Sequence, residues 1–182
     1  ADVCIVTDIY GAREQPEPGP FWFGHGQCVL WWPCVSICSW RGCQYPDTVP
    51  DGQRHHVLRT LELGAQIVVV PMINTADDAA RVVEYGKFPP MGARGFNLRS
   101  RGLKYGLDGR EQAFINANDE THLFAQIETR EAVENLDSIC RVEGLSGILV
   151  GPGDLSSSLG RAGDFSSPEM IRIVSNSIER SR

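Results

Sequence analysis

Several features that mark other protein classes are scarce in this sequence of 182 residues. No segment approaches the roughly 20 consecutive apolar residues of a membrane-spanning helix, and no charged stretch followed by a long apolar one opens the chain. The net charge of −6 and the scattered basic residues argue against nucleic-acid binding. We therefore expect a soluble, cytoplasmic protein that binds neither membranes nor nucleic acid.

Two chemical motifs are also missing. No G-x-G-x-x-G turn is present, which argues against a dinucleotide-binding open sheet. Lysine occurs only at Lys87 and Lys104, and neither falls at the end of a predicted strand. This placement argues against catalysis through a lysine Schiff base.

Apolar runs and amphipathic segments alternate from residue 54 onward. The runs AQIVVVPM, HLFAQIE and SGILVGP read as buried strands, and residues 54–63, NTADDAARVVEYG and TREAVENLDSICRV read as helices. Asn74 or Thr75 is the predicted cap of the second helix, and Gly64 and Gly86 are predicted stops. Strands separated by helices predict a parallel sheet covered by helices, either an open doubly wound sheet or a (β/α)8 barrel.

Two carboxylates follow strands in successive units of this pattern. Glu128 ends HLFAQIE, and Asp154 comes two residues after SGILVGP within GPGDLS. Adjacent parallel strands lie about 4.8 Å apart, so the two side chains can converge at one edge of the sheet. Such oxygen ligands suit Mg²⁺ or Mn²⁺. The alternative is that Glu128 caps the next helix and Asp154 holds a turn.

Four ordered motifs carry a family resemblance. The segments GAQIVVVPMINTADDAARVV, FPPMGARG, QIETREAVENLDSI and GPGDLSSSLG closely resemble the HpcH/HpaI aldolases, metal-dependent class II enzymes that make and cleave 2-oxo acids. The resemblance runs from about residue 57 to residue 182. It implies a (β/α)8 TIM-type barrel, usually a homohexamer. It also implies cleavage of a 4-hydroxy-2-oxo acid to pyruvate and an aldehyde through an enolate that the metal stabilises.

The resemblance also implies roles for individual residues. Glu128 and Asp154 would hold the divalent metal, either Mg²⁺ or Mn²⁺, with Co²⁺ and Zn²⁺ as further candidates. Gln126 would contact the substrate, and the backbone at Gly153 would bind the pyruvate carboxylate next to Asp154.

The catalytic base of the family is a histidine, and His25 falls near its expected position, with Glu62 as the acidic group that raises its basicity. Two departures weaken this assignment. Trp22 and Gly24 replace acidic neighbours of the histidine, and no arginine stands near Thr48, where the family carries one. A histidine without an orienting carboxylate is a poorer base. A non-catalytic remnant that binds metal or pyruvate without turnover is therefore the second interpretation.

The first third of the chain differs in composition. Residues 1–19 resemble a short segment of UDP-N-acetylmuramate-alanine ligases, and Arg41 is the only formally charged residue from Pro18 to Pro46. We expect an atypical segment over residues 1–50 and a partial aldolase barrel over residues 51–182, without the last strands of a barrel of about 250 residues. A zinc site of His25, Cys34, Cys38 and Cys43 is a third hypothesis, although no C-x-x-C pair supports it.

Overall fold

The computed structural model describes residues 4–7 and 47–180, with side chains from residue 47 to residue 177. Its five strands are β1 Cys4–Thr7, β2 Asp47–Thr48, β3 Ile67–Val70, β4 His122–Ile127 and β5 Gly147–Val150. They form one parallel sheet in the order β1-β5-β4-β3-β2. The three apolar runs singled out in the sequence are therefore neighbouring strands.

Helices connect the strands. They are α1 Arg54–Glu62, α2 Ala76–Gly86, a 3-10 helix Arg101–Gly106, α3 Arg110–Glu120, α4 Arg130–Glu134, α5 Leu136–Cys140, α6 Pro152–Ser158 and α7 Pro168–Arg180. The predicted alternation of strands and helices is confirmed. In the part of the chain that the structure describes, no helix is long and apolar enough to cross a membrane.

The main core lies between the sheet and the helices. Val68 and Val70 of β3, Leu123 of β4 and Ile148 of β5 are fully buried there, and they pack with Val57 of α1. Strands of a parallel sheet that helices cover are buried along their whole length, which explains why they read as continuous apolar runs.

The second predicted helix begins and ends as its sequence indicated. Thr75 caps α2: its hydroxyl accepts a hydrogen bond from the Asp78 N–H at 3.1 Å, and the Asp78 carboxylate accepts one from the Thr75 N–H at 2.9 Å. This reciprocal pair satisfies donors that the first turn of a helix leaves free. The cap fixes where the loop after β3 ends, and that loop reaches the site described below.

The predicted helix over residues 129–142 is interrupted. It forms as α4 and α5, which meet at Asn135. The side chain of Asn135 donates to the backbone carbonyl of Asn74 at 3.0 Å, and the Asn135 carbonyl accepts from the Ser138 hydroxyl at 2.7 Å. A tertiary hydrogen bond therefore accompanies the break, and the local periodicity did not contain it.

Strands β2 to β5 are neighbours in chain order, as in a (β/α)8 barrel, whereas β1 pairs with β5 out of order. The predictions that concern residues 8–46 fall on a part of the sequence outside the described residues. The boundary near residue 50 stays a prediction.

Candidate active site

Glu128 is the buried centre of the candidate site. It follows β4 directly, and only 2% of its surface is exposed. One carboxylate oxygen, Oε1, accepts a hydrogen bond from the Met72 N–H at 2.7 Å, and the other, Oε2, accepts one from the Gln126 side-chain amide at 2.6 Å. Donors from the loop after β3 and from β4 therefore hold both oxygens of the carboxylate.

Gly151 allows the third strand end to approach closely. It follows β5, and its N–H donates to the carbonyl of Ile127 at 3.0 Å. A Cβ atom at this position would lie 3.0 Å from both Gln126 Nε2 and Glu128 Oε2. Glycine therefore provides the space in which the amide and the carboxylate meet.

Asp154 brings a second carboxylate to Glu128. It lies in the first turn of α6, four residues after the end of β5, and it is exposed. Burial raises the pKa of Glu128, the Met72 N–H lowers it, and the Asp154 carboxyl raises it again through charge repulsion and a hydrogen bond. The Gln126 amide acts in the lowering direction. The net effect is a pKa above the ordinary value of glutamate, as expected for a desolvated acid beside another acid.

This pair of carboxylates fits a divalent cation. Among the described residues, none of the groups that shift the pKa of Glu128 is a lysine, arginine or histidine. The same residues contain no cluster of three or more histidine, cysteine, aspartate or glutamate side chains. A site with two carboxylates matches Mg²⁺ or Mn²⁺, which commonly keeps water and substrate oxygens as its other ligands. A cation would offset both the burial of Glu128 and the repulsion from Asp154.

Hydrogen bonds between loops brace the residue after Glu128. The Thr129 hydroxyl donates to the side-chain oxygen of Asn74, and it also accepts from the Ala132 N–H at 3.0 Å, which caps α4. The Arg130 N–H donates to the Ser158 hydroxyl at 3.0 Å. The loops after β3 and β4 and the end of α6 are thereby tied together around the site.

The structure brings four of the predicted site residues to the carboxyl ends of neighbouring strands. Gln126 is the second-last residue of β4, Glu128 follows that strand, and Gly153 and Asp154 lie in the first turn of α6. The Gly153 carbonyl accepts a hydrogen bond from the Ser156 hydroxyl at 2.7 Å, and a Cβ atom added at Gly153 would meet no other part of the protein within 4 Å.

The structure does not bring Glu62 to these residues. Glu62 is the last residue of α1, which leads into the amino end of β3, whereas Glu128 follows the carboxyl end of the adjacent parallel strand β4. Glu62 lies 3.9 Å from Arg59 and interacts electrostatically with buried Arg94. His25 and the cysteines of the hypothetical zinc site, Cys34, Cys38 and Cys43, lie outside the described residues.

Two positions of the candidate site are absent from the predictions made on the sequence. Met72 contributes its backbone N–H, which no side-chain pattern could indicate. Gly151 precedes the proline of GPGDLS, and its close approach to Glu128 depends on the sheet register. The glycines of that motif were a signal of close backbone approach, but only Gly153 was selected.

Comparison with known proteins supports the resemblance. The model of the HpcH/HpaI aldolase/citrate lyase family matches residues 48–182. A 2-keto-3-deoxy-L-rhamnonate aldolase from Klebsiella pneumoniae is 40% identical over 133 residues, which cover 72% of this chain and 49% of the relative. The chain thus spans about half the length of the curated relatives that it matches.

Solved structures agree with the fold. An HpcH/HpaI aldolase from Desulfitobacterium hafniense DCB-2 superimposes with a TM-score of 0.74 and 30% identity, covering 81% of this chain and 56% of that one. A citrate synthase superimposes with a TM-score of 0.66 and 26% identity over 75% of this chain and 51% of that one. The aldolase neighbours are of the TIM-barrel type, so the predicted α/β class of TIM-barrel type is confirmed.

Proposed function

Because the chain belongs to the HpcH/HpaI aldolase/citrate lyase family, we propose that it is a carbon–carbon lyase of the class II aldolase type. The proposed reaction cleaves a 4-hydroxy-2-oxo acid between C3 and C4 to give pyruvate and an aldehyde, or joins these two in reverse. The names of the curated relatives, which are 2-keto-3-deoxy-L-rhamnonate aldolases, support a deoxy sugar acid as the class of substrate.

One observation carries the proposal. Glu128 is buried, both its oxygens are held by donors, and a second carboxylate on Asp154 raises its pKa. Protein interiors rarely tolerate such an arrangement unless a cation or a catalytic role offsets its cost. The pair therefore favours a divalent metal site over the alternative in which each acid only supports its own loop.

The chain's own residues bind and orient the substrate in this proposal. Glu128 and Asp154 hold the cation, which when bound acts as a Lewis acid on the oxygens of the 2-oxo acid. Gln126 is oriented by its hydrogen bond to Glu128 and directs the rest of its amide toward the substrate. The open backbone at Gly153 receives the substrate carboxylate, and His25 is the proposed base.

The remaining assignments follow from the donor set and the family. Two hard carboxylates favour Mg²⁺ or Mn²⁺, and Co²⁺ and Zn²⁺ also accept such ligands. We propose a homo-oligomer, a hexamer by family resemblance, that works in the cytoplasm on small-molecule substrates.

Exchange of the C3 protons of pyruvate in D2O tests the reaction without knowledge of the aldehyde. We expect NMR to record exchange with Mn²⁺ or Mg²⁺, none with EDTA, and a rate at least about 100-fold lower in Glu128→Gln, because a direct ligand is lost. Glu134→Gln is the matched control, since Glu134 is an exposed glutamate on the helix that follows. Exchange that is equally fast in EDTA would contradict the proposal.

The second candidate is a protein that binds metal or pyruvate without turnover. It is favoured by the absence of a histidine beside Glu128 among the described residues. His122 lies at the amino end of β4, whereas Glu128 follows its carboxyl end, and His55 and His56 belong to α1. Mn²⁺ binding that Glu128→Gln abolishes, together with no proton exchange in folded protein, would select this candidate.

A further inference from the structure

Met72 has an unusual backbone conformation. Its φ is +56°, in the left-handed region that residues with a Cβ atom seldom adopt. The other non-glycine residues with positive φ among those described, Lys104 and Tyr105, lie in the 3-10 helix and not at the site. A left-handed residue beside buried Glu128 requires a physical reason.

Packing of the Met72 side chain does not provide that reason. The side chain is 55% exposed, so burial does not force the backbone into this region. The next residue, Ile73, is only 3% exposed and belongs to the main core. The next residue, Asn74, accepts a hydrogen bond from the Thr129 hydroxyl through its side-chain oxygen. The chain after Met72 is therefore anchored by the two residues that follow it.

The hydrogen bond from the Met72 N–H to Glu128 does provide a reason for the left-handed backbone. The Met72 N–H donates to Glu128 Oε1 at 2.7 Å, across 56 positions of sequence. Gln126 holds the other oxygen, so the Met72 N–H is the second of two donors that fix the plane of the carboxylate. Each oxygen keeps capacity for a further partner, because a carboxylate oxygen accepts about two hydrogen bonds or ligands.

We propose that Met72 is a positioning residue for the candidate metal site: its left-handed backbone aims the N–H at Glu128 Oε1 and orients that carboxylate toward a cation shared with Asp154. The inference rests on the proposed function and adds a requirement on backbone conformation. The identity of the side chain at position 72 matters only through the φ that it permits.

Substitutions that separate side-chain chemistry from backbone conformation test this role. Met72→Val keeps an apolar side chain, but β-branched residues are true outliers at positive φ. Met72→Asn and Met72→Gly change the side chain far more, yet both residues adopt this conformation readily. Met91→Val is the matched control, since Met91 is also an exposed methionine and has no positive φ.

The measurement is Mn²⁺ affinity of the full chain, from electron paramagnetic resonance of free Mn²⁺. We expect about tenfold weaker binding in Met72→Val, as for loss of an outer hydrogen bond to a metal ligand. Met72→Asn, Met72→Gly and Met91→Val should stay within about twofold of wild type, because the Glu128 contact persists. Circular dichroism confirms that each variant is folded, and Met72→Ala replaces the valine variant if that protein does not fold.

The outcomes distinguish this inference from the proposed function. Wild-type affinity in Met72→Val, or equal loss in Met72→Val and Met72→Asn, would overturn the positioning role while leaving the metal site intact. Mn²⁺ binding that is absent in wild type, or unaffected by Glu128→Gln, would overturn the proposed function and this inference with it. Weaker Mn²⁺ binding in Met72→Val, with wild-type affinity in Met72→Asn and Met72→Gly, supports both the positioning role and the proposed metal site.

Discussion

At the scale of single residues, two glycines that follow β5 have opposite tolerances for a side chain. An added Cβ at Gly151 would lie 3.0 Å from both Gln126 Nε2 and Glu128 Oε2, whereas at Gly153 it would meet nothing within 4 Å. We expect Gly151→Ala to lower the free energy of unfolding by roughly 1–2 kcal/mol through overpacking, and to weaken Mn²⁺ binding. Urea unfolding and Mn²⁺ titration measure the two effects.

Gly153→Ala is the matched control for that crowding. Its free energy of unfolding and its Mn²⁺ affinity should stay near wild type, within about 0.5 kcal/mol for stability, because the space is open. Pyruvate affinity should fall, since the methyl group would enter the space proposed for the substrate carboxylate. If both glycine variants lose the same stability, the close approach at Gly151 is not the cause.

Glu128 should give the metal-free protein a distinctive pH dependence. Burial and Asp154 raise the pKa of Glu128 in the folded protein above the ordinary value of 4.5. At a pH between 4.5 and this raised pKa, the native state holds a proton that the unfolded chain has released. Stability from this group is therefore present at low pH and lost as pH rises through that window.

Glu128→Gln removes this loss. We expect the variant to become more stable than wild type as pH rises from about 4.5 to 8 in EDTA, with the difference levelling off above the folded pKa. Urea unfolding at several pH values measures it, and Glu134→Gln should show no such trend. A constant difference across the range would mean that Glu128 titrates as an ordinary glutamate.

At the scale of secondary-structure elements, Lys87 joins the end of α2 to the start of β4. It is 4% exposed, and its ammonium group donates to the carbonyls of Asn118 and Thr121, each at 2.5 Å. Lys87→Met would leave these carbonyls without a donor. Burial lowers the pKa of Lys87, so loss of its charge recovers part of the cost. We expect a net loss of about 2 kcal/mol in the free energy of unfolding.

Lys104→Met is the natural comparison, because these are the two lysines of the chain. Lys104 is exposed and forms ion pairs with Asp108 and Glu120 at the surface, where such pairs contribute little. Its replacement should leave thermal unfolding close to that of wild type. Equal destabilisation by both changes would show that the buried hydrogen bonds of Lys87 are not what joins the elements.

Periodicity predicted the elements that carry large apolar faces and failed where tertiary contacts decide. The strands β3 to β5 and the capped helix at Thr75 follow directly from local patterns. Helix α3 was missed because its buried residues are only Ala113 and Ala117, which give a weak apolar stripe. The site divides in the same way: strand ends predicted that Glu128 and Asp154 would lie together, whereas the left-handed backbone of Met72 leaves no mark in the sequence.

At the scale of the whole molecule, one outer strand of the described sheet comes from the first third of the chain. β1 pairs with β5 over four residues, from Cys4 opposite Gly147 to Thr7 opposite Val150. β5 is also the strand that precedes Asp154, so the pairing of β5 with β1 affects the candidate site. An unpaired edge next to β5 would expose backbone donors and acceptors and favour aggregation. The pairing therefore predicts that residues outside the family match stabilise the part within it.

Replacement of Ile5 and Val6 together tests this dependence. Because successive residues of a strand direct their N–H groups to opposite sides, one of the two faces β5. Proline at both positions removes that donor, and we expect a loss of roughly 1–3 kcal/mol in the free energy of unfolding and increased light scattering on heating. Alanine at both positions keeps the N–H groups and is the control. If the proline variant unfolds and scatters like wild type, β1 does not support the sheet; if the alanine variant loses as much stability as the proline variant, the backbone pairing is not the cause.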